Sequence, residues 1–268
     1  MRTKRRHLVN IFTLCFLVIV AGTSSPAADF YVDPVDGSDD NSGLSPEESL
    51  RTITRALEIV RADNATPATI NLAAGTYSAE TNGETFPINM TAATHLLGDG
   101  PETTIILCEE THTDGVLCDG IADVQIEALS IHGPPPDASG AGRGIWLRNC
   151  EGEIFIRECV VALGRGISSN VLDQTSPSAS LYLEYCLVKD GLIARRLSMV
   201  VIRSSTFIGY GVGGTSRKII EDCMFIECNT DLYSYGNEIR RCEFYDSGIS
   251  FGSGYNPVSY THLRAHET

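Results

Sequence analysis

Six short segments of the chain share one pattern of apolar and polar positions: IEALSI (126–131), IRECVV (156–161), LEYCLV (183–188), IRSSTF (202–207), IEDCMF (220–225) and IRRCEF (239–244). Apolar side chains stand at the first and sixth places, and a small or apolar one at the fourth. A straight strand alternates its faces, so its first, third and fifth places would share a side. Apolar first, fourth and sixth places predict instead two short strands that meet at a corner. The segments begin 18 to 30 residues apart, in β-branched, glycine-rich chain without a helical period, which predicts one coil of a parallel β-helix per repeat. A leucine-rich repeat would need a leucine consensus that is absent here. The expected fold is all-β: a right-handed parallel β-helix with a short amino-terminal capping helix.

The other columns of the repeat refine this picture. The fourth place reads Leu129, Cys159, Cys186, Ser205, Cys223 and Cys242. Neighbouring coils lie about 4.8 Å apart, wider than the ~3.8 Å between Cβ atoms that a disulfide prefers, so a column of buried free thiols is expected. The second place reads Glu127, Arg157, Glu184, Arg203, Glu221 and Arg240. Its alternating sign predicts an outward ladder of ion pairs. A further strand, usually following glycine, appears in GIWLR (144–148), GISSN (166–170), GLIAR (191–195), DLYSY (231–235) and GISF (248–251). Alternation sends Ile145, Leu147, Ile167, Leu192, Ala194, Leu232 and Ile249 inward. It leaves Trp146, Arg148, Ser168, Asn170, Ile193, Arg195, Tyr233 and Tyr235 outward. Aromatic rings beside Arg and Asn suit sugars, which offer apolar faces and hydroxyl rims. The candidate substrate-binding residues are therefore Trp146, Arg148, Asn170, Arg195, Tyr233 and Tyr235, with an ordinary solvated sheet face as the alternative.

Ahead of the coils, Leu50, Ile53, Leu57 and Val60 form an apolar stripe at helical spacing, which predicts a helix near residues 50–62 that covers the first coil. The chain opens on MRTKRRH, an apolar run LVNIFTLCFLVIVAG and the small-residue region TSSPAADF. This is the pattern of a cleaved secretory signal over residues 1–27, and the apolar run is shorter than the roughly 20 residues that span a bilayer. No transmembrane span is expected after cleavage, and the expected location is secreted, periplasmic or at the cell surface. Residues 258–268, VSYTHLRAHET, resemble an in-frame translation of a sequencing-library adapter, so the natural chain is expected to continue past Pro257. The remaining organisation is a cap module with the first coil over 28–95 and further coils over 96–257. The formal net charge is −14, and it becomes more negative once the basic leader is removed. Nucleic acid is disfavoured, because phosphate affinity comes from clustered Lys and Arg. An acidic polysaccharide would be repelled unless a cation or a local arginine patch intervened. No C-x-x-C pair or H-E-x-x-H is present, so no metal site is assigned.

The segment DFYVDPVDGSDDNSGLSPEESLRTITRALEIV, followed by INLAAGTYSAETNGETFPINM and THLLGDG, resembles the amino-terminal module of bacterial secreted β-helix proteins in the pectin-lyase-like superfamily. The positions that carry the resemblance are Tyr31, Val32, Gly37, Asp39, Gly43, Thr52, Ile53, Ala56, Leu57, Ala73, Gly75 and Tyr77. The module is specific for architecture, not activity. The superfamily implies a polysaccharide or surface glycan as partner, and either calcium-assisted β-elimination with an Arg or Lys base or glycoside hydrolysis by paired carboxylates. No cofactor is assigned. Asp33, Asp36, Asp39 and Asp40 form a candidate calcium set, for which a tight turn is the competing explanation. Asn229-Thr230-Asp231 resembles the first motif of polygalacturonase-type hydrolases. Tyr245-Asp246-Ser247 stands where two adjacent aspartates are expected, and the later His and Arg motifs are absent. Asp231 and Asp246 are thus the candidate catalytic pair. The leading functional expectation is an exported β-helix that binds or processes polysaccharide, as a lyase or glycoside hydrolase if active. The alternative is a non-enzymatic structural or adhesive surface protein.

Overall fold

The corner inside each repeat falls at its third place. Ala128, Glu158, Tyr185, Ser204, Asp222 and Arg241 occupy it with φ of 56°, 50°, 56°, 48°, 56° and 52°, a left-handed conformation that turns the chain between two strands. The computed structural model describes residues 27–134, 142–170, 179–234, 236–251, 258–259 and 262–264. Residues 1–26, Tyr235, Pro257 and the Asn170 side chain lie outside this description.

Strands that precede the corner form a ten-stranded sheet running from Ala28–Val32 to Val258–Ser259, and strands that follow it form a nine-stranded sheet from Gly75–Tyr77 to His262–Arg264. A third, six-stranded sheet contains Ile88–Asn89, Val116–Asp119, Ile145–Arg148, Ile167–Asn170, Leu192–Ile193 and Val212–Gly213. Asn229–Leu232 pairs with Gly248–Phe251 and carries that face onward. Every pairing is parallel, and equivalent places of successive coils align, as in Ile156, Leu183, Ile202, Ile220 and Ile239. One strand per sheet in each coil makes the chain a right-handed parallel β-helix. Its interior is a stack of like on like: the rings of Phe207, Phe225 and Phe244 lie parallel, with centroids 5.2 and 4.6 Å apart.

The fourth-place cysteines are buried and unbridged, and each has a reason to be there. The thiols of Cys159, Cys186, Cys223 and Cys242 lie 3.0, 3.3, 3.1 and 3.3 Å from the carbonyl oxygen two residues earlier, across the corner. Ser205 makes the same bond through its hydroxyl at 2.8 Å. The second-place ladder also forms on the outer face. Glu184 lies 3.2 Å from Arg157 and 3.4 Å from Arg203, and Glu221 lies 3.2 Å from Arg203 and 2.9 Å from Arg240.

The helix spans Ile53–Ala62 and buries Ile53, Ala56, Leu57 and Val60 against the strands of the first coil. Leu50 stands ahead of it, buried and bridged to Val32. The helix starts late because Thr52 is its cap and accepts a hydrogen bond from the Arg55 amide. The buried Glu84 carboxylate accepts from the Ile53 and Thr54 amides at 2.7 and 3.0 Å, satisfying two amides that lack helical partners. Asp39 accepts from the Arg51 and Thr52 amides, each at 2.9 Å, and Asp33 accepts from those of Val35 and Asp36. These two aspartates therefore hold the turn that leads into the helix. Gly37 is required here because a Cβ would sit 2.2 Å from the Leu50 carbonyl oxygen.

Candidate functional site

On the third sheet, side-chain size alternates from coil to coil. Its outward column runs Trp146, Ser168, Ile193 and Gly213 in register. Small Ser168 and Gly213 leave depressions between larger neighbours, and glycines before each strand keep the approach low. Three concavities result, and they adjoin. The first, of 160 Å³, is bordered by Arg143, Trp146, Arg165, Ser168, Ser169, Ile193 and Arg195. The second, of 370 Å³, lies by Gly164, Arg165, Asp190, Ile193 and Tyr210. The third, of 320 Å³, is enclosed chiefly by Asp190, Ile193, Arg195, Tyr210, Asp231 and Tyr233 over Gly211, Gly213 and Gly214. Ile193 touches all three, so they form one groove along the helix axis.

The expected inward residues are buried, with Ile249 only partly covered. Of the expected binding residues, Trp146, Arg195 and Tyr233 border the groove. Tyr233 is 60% exposed and Ile193 is 40% exposed, an open apolar surface on either side of the glycine floor. Ser168 is buried on the groove floor rather than exposed. Trp146 is not an open platform: the guanidinium carbons of Arg143 and Arg148 lie 4.1 and 4.8 Å from its ring centroid. Arg148 in turn pairs with Asp119, and this bond holds the Asp119 carboxyl below the usual range. Arg143 is anchored by the buried Asp114 carboxylate, which accepts from its backbone amide at 2.9 Å and its guanidinium at 3.3 Å. Arg148 and Arg143 thus brace the indole. Asn170 belongs to the strand Ile167–Asn170, while Tyr235 lies outside the described residues.

Asp231 borders the third concavity. Asp246 lies at a second left-handed turn (φ 46°) of the following coil, after the strand Glu243–Tyr245, and the register sets Ser250 beside Asp231. The carboxylate that shares a concavity with Asp231 is Asp190, two coils earlier. Sequence reading missed Arg143, Arg165 and Tyr210. The available signal was their place immediately before the glycine that opens each strand, the place that Asp190 also holds. Among the described residues, no three or more His, Cys, Asp or Glu side chains converge as a metal site, and no helix is long and apolar enough to cross a membrane.

A family described as "Protein of unknown function (DUF1565)" matches residues 35–104, the module of the first turn, the helix and the first coils. No curated protein matches the chain. Among solved structures the chain is similar to the pectin methylesterase from Aspergillus niger in deglycosylated form, at 12% identity over 92% of this chain and 88% of that chain, with a TM-score of 0.50. Other similar structures are the pectin methylesterase PemA from Erwinia chrysanthemi (10% identity, 90% and 81% coverage, TM-score 0.44) and a rhamnogalacturonan lyase (11%, 87% and 73%, 0.45). These neighbours are polysaccharide-processing parallel β-helix enzymes, and at such identities the likeness is one of fold.

Proposed function

We propose that the protein is exported and binds or processes polysaccharide along the groove of the third sheet. The carrying observation is the continuity of that groove: three concavities share Ile193, and aromatic, hydroxyl, arginine and carboxylate groups alternate along them. A long concave track suits a chain molecule better than a compact metabolite. Exposed tyrosine rings offer contact to sugar C–H faces, and the polar groups offer partners for hydroxyls. The basic leader and short apolar run support export. The fold shared with pectin methylesterases and a rhamnogalacturonan lyase supports this reading. If the protein cleaves its ligand, Asp231 is the proposed acid or base, with Asp190 as the carboxylate that shares its concavity. Asp246 is the earlier partner candidate from the motif comparison.

The test is binding of the purified protein to a glycan array, repeated with Tyr210→Ala combined with Tyr233→Ala. Aromatic contacts contribute about 0.5–1.5 kcal/mol each, so the double substitution should weaken binding on the order of ten-fold. Both tyrosines are exposed, and surface substitutions usually change stability by less than about 0.5 kcal/mol. Circular dichroism should therefore be unchanged. Undiminished binding in the double variant would move the site off this face.

A further inference from the structure

The arginines of the third sheet come with carboxylates. Arg143 is paired with Asp114 at 3.3 Å, and Arg148 with Asp119. Arg165 shares the middle concavity with Asp190, and Arg195 shares the third with Asp190 and Asp231. The guanidinium groups that border the groove, from Arg143, Arg165 and Arg195, are thus matched by the carboxylates of Asp114, Asp190 and Asp231. The formal charges of these side chains cancel along its length.

That balance decides between classes of sugar. A chain of net charge −14 repels anions at long range, and a groove without surplus guanidinium does not reverse the field. A polymer with a carboxylate or a sulfate ester on every unit would set like charges against Asp190 and Asp231, a juxtaposition that opposes binding. Hydroxyls suit the same groups better. Each donates and accepts, so one sugar unit can accept from Arg195 and donate to an aspartate while bringing no charge of its own.

The third concavity also has room for such a unit. Gly213 follows Ile193 in register, and a Cβ added to it would meet no atom within 4 Å. The space over it belongs to the hollow of 320 Å³ that Tyr210 and Tyr233 border from successive coils. Both rings are exposed, and an aromatic face is the surface that sugar C–H groups pack on.

Resting on the polysaccharide reading above, we infer that the groove takes an uncharged glycan, with one sugar unit seated over Gly213 against Tyr210 and Tyr233. Its hydroxyls accept from Arg195 and donate to Asp190 and Asp231. Those two aspartates disfavour polyuronides and sulfated glycans.

The test is a glycan array probed with the full chain. It should carry neutral hexose oligosaccharides, the same oligosaccharides oxidised to uronates on every unit, and their sulfated forms. The neutral ligands should bind at least about ten-fold more tightly than either anionic group. Raising the salt from about 0.05 to about 0.5 M, which shortens the screening length, should leave the neutral affinity unchanged. Asp190→Asn with Asp231→Asn should raise binding of the uronates relative to the neutral forms. Gly213→Leu should weaken neutral binding about ten-fold by occupying the floor, with an unchanged circular dichroism spectrum, because Gly213 is not among the positive-φ glycines and its Cβ meets open space. Equal or tighter binding of uronates or sulfated forms by the unmodified chain would overturn the inference and leave the polysaccharide reading standing, as would undiminished neutral binding in folded Gly213→Leu. Binding to no glycan at all would overturn both.

Discussion

Lys218 is fully buried, and its ammonium donates to the carbonyl oxygens of Gly214 at 2.9 Å and Ser216 at 2.7 Å. Burial lowers its pKa to about 8 from the ordinary 10.5. A base with a depressed pKa binds its proton less well in the folded chain than in the unfolded one. Stability should therefore rise with pH through the interval between about 8 and 10.5. Wild-type thermal denaturation should show this rise on the order of 2–3 kcal/mol, the size of such a shift, and Lys218→Met should lack it. Parallel curves for the two proteins would mean that burial does not depress the Lys218 pKa. The thiols of the fourth column make a second expectation at this scale. Burial keeps Cys159 well above its ordinary pKa, and the hydrogen bond with Cys242 together with burial does the same for Cys223. Because Cys159, Cys186, Cys223 and Cys242 are all buried, a thiol reagent should reach any of them only as fast as the chain opens. Rapid labelling of the native protein would contradict the stacked interior.

Among the elements, the corner was legible in the sequence and its conformation was not. Apolar first, fourth and sixth places demanded a turn, but left-handed backbone is ordinarily betrayed by Gly, Asn or Asp. Here the third place holds Ala128, Glu158, Tyr185, Ser204, Asp222 and Arg241, which share no side-chain chemistry. What they share is a backbone bond: the third-place amides of Ala128, Glu158, Tyr185, Ser204 and Asp222 each donate to a carbonyl of the next coil at 3.0 to 3.2 Å. The stack compels the conformation from outside the residue, so no local composition records it. Ser204 is exposed, which makes it a clean probe. Ser204→Gly should be neutral or stabilising by up to about 1 kcal/mol, whereas Ser204→Val should cost about 1–2 kcal/mol from left-handed strain. Urea denaturation would measure both, and equal stability of the two variants would remove the strain argument. The capping helix shows the same limit. Its apolar stripe gave its existence, but Glu84, 31 residues beyond Ile53, supplies the carboxylate at its first turn, and such a distant cap leaves no local mark.

Over the whole molecule, periodicity identified which face of each strand points outward and could not identify where that face is hollow. Trp146, Arg195 and Tyr233 were visible as outward residues, whereas the groove depends on Ser168 and Gly213 being small at places aligned with Trp146 and Ile193. Depth is a difference between coils, which a pattern within one coil does not contain. The ion-pair ladder of the ten-stranded sheet has a consequence for how such a chain can change length. Its sign alternates from one coil to the next, through Arg157, Glu184, Arg203, Glu221 and Arg240. Excising one interior coil, such as that of Glu221, would bring Arg203 against Arg240, while excising two, those of Arg203 and Glu221, would bring Glu184 against Arg240. Each exposed contact contributes only a few tenths to about 1 kcal/mol, and the penalty falls at the one junction where like charges meet. The ladder thus behaves as a parity rule on coil number: interior coils along it can be duplicated or lost without a clash of like charges only in even numbers.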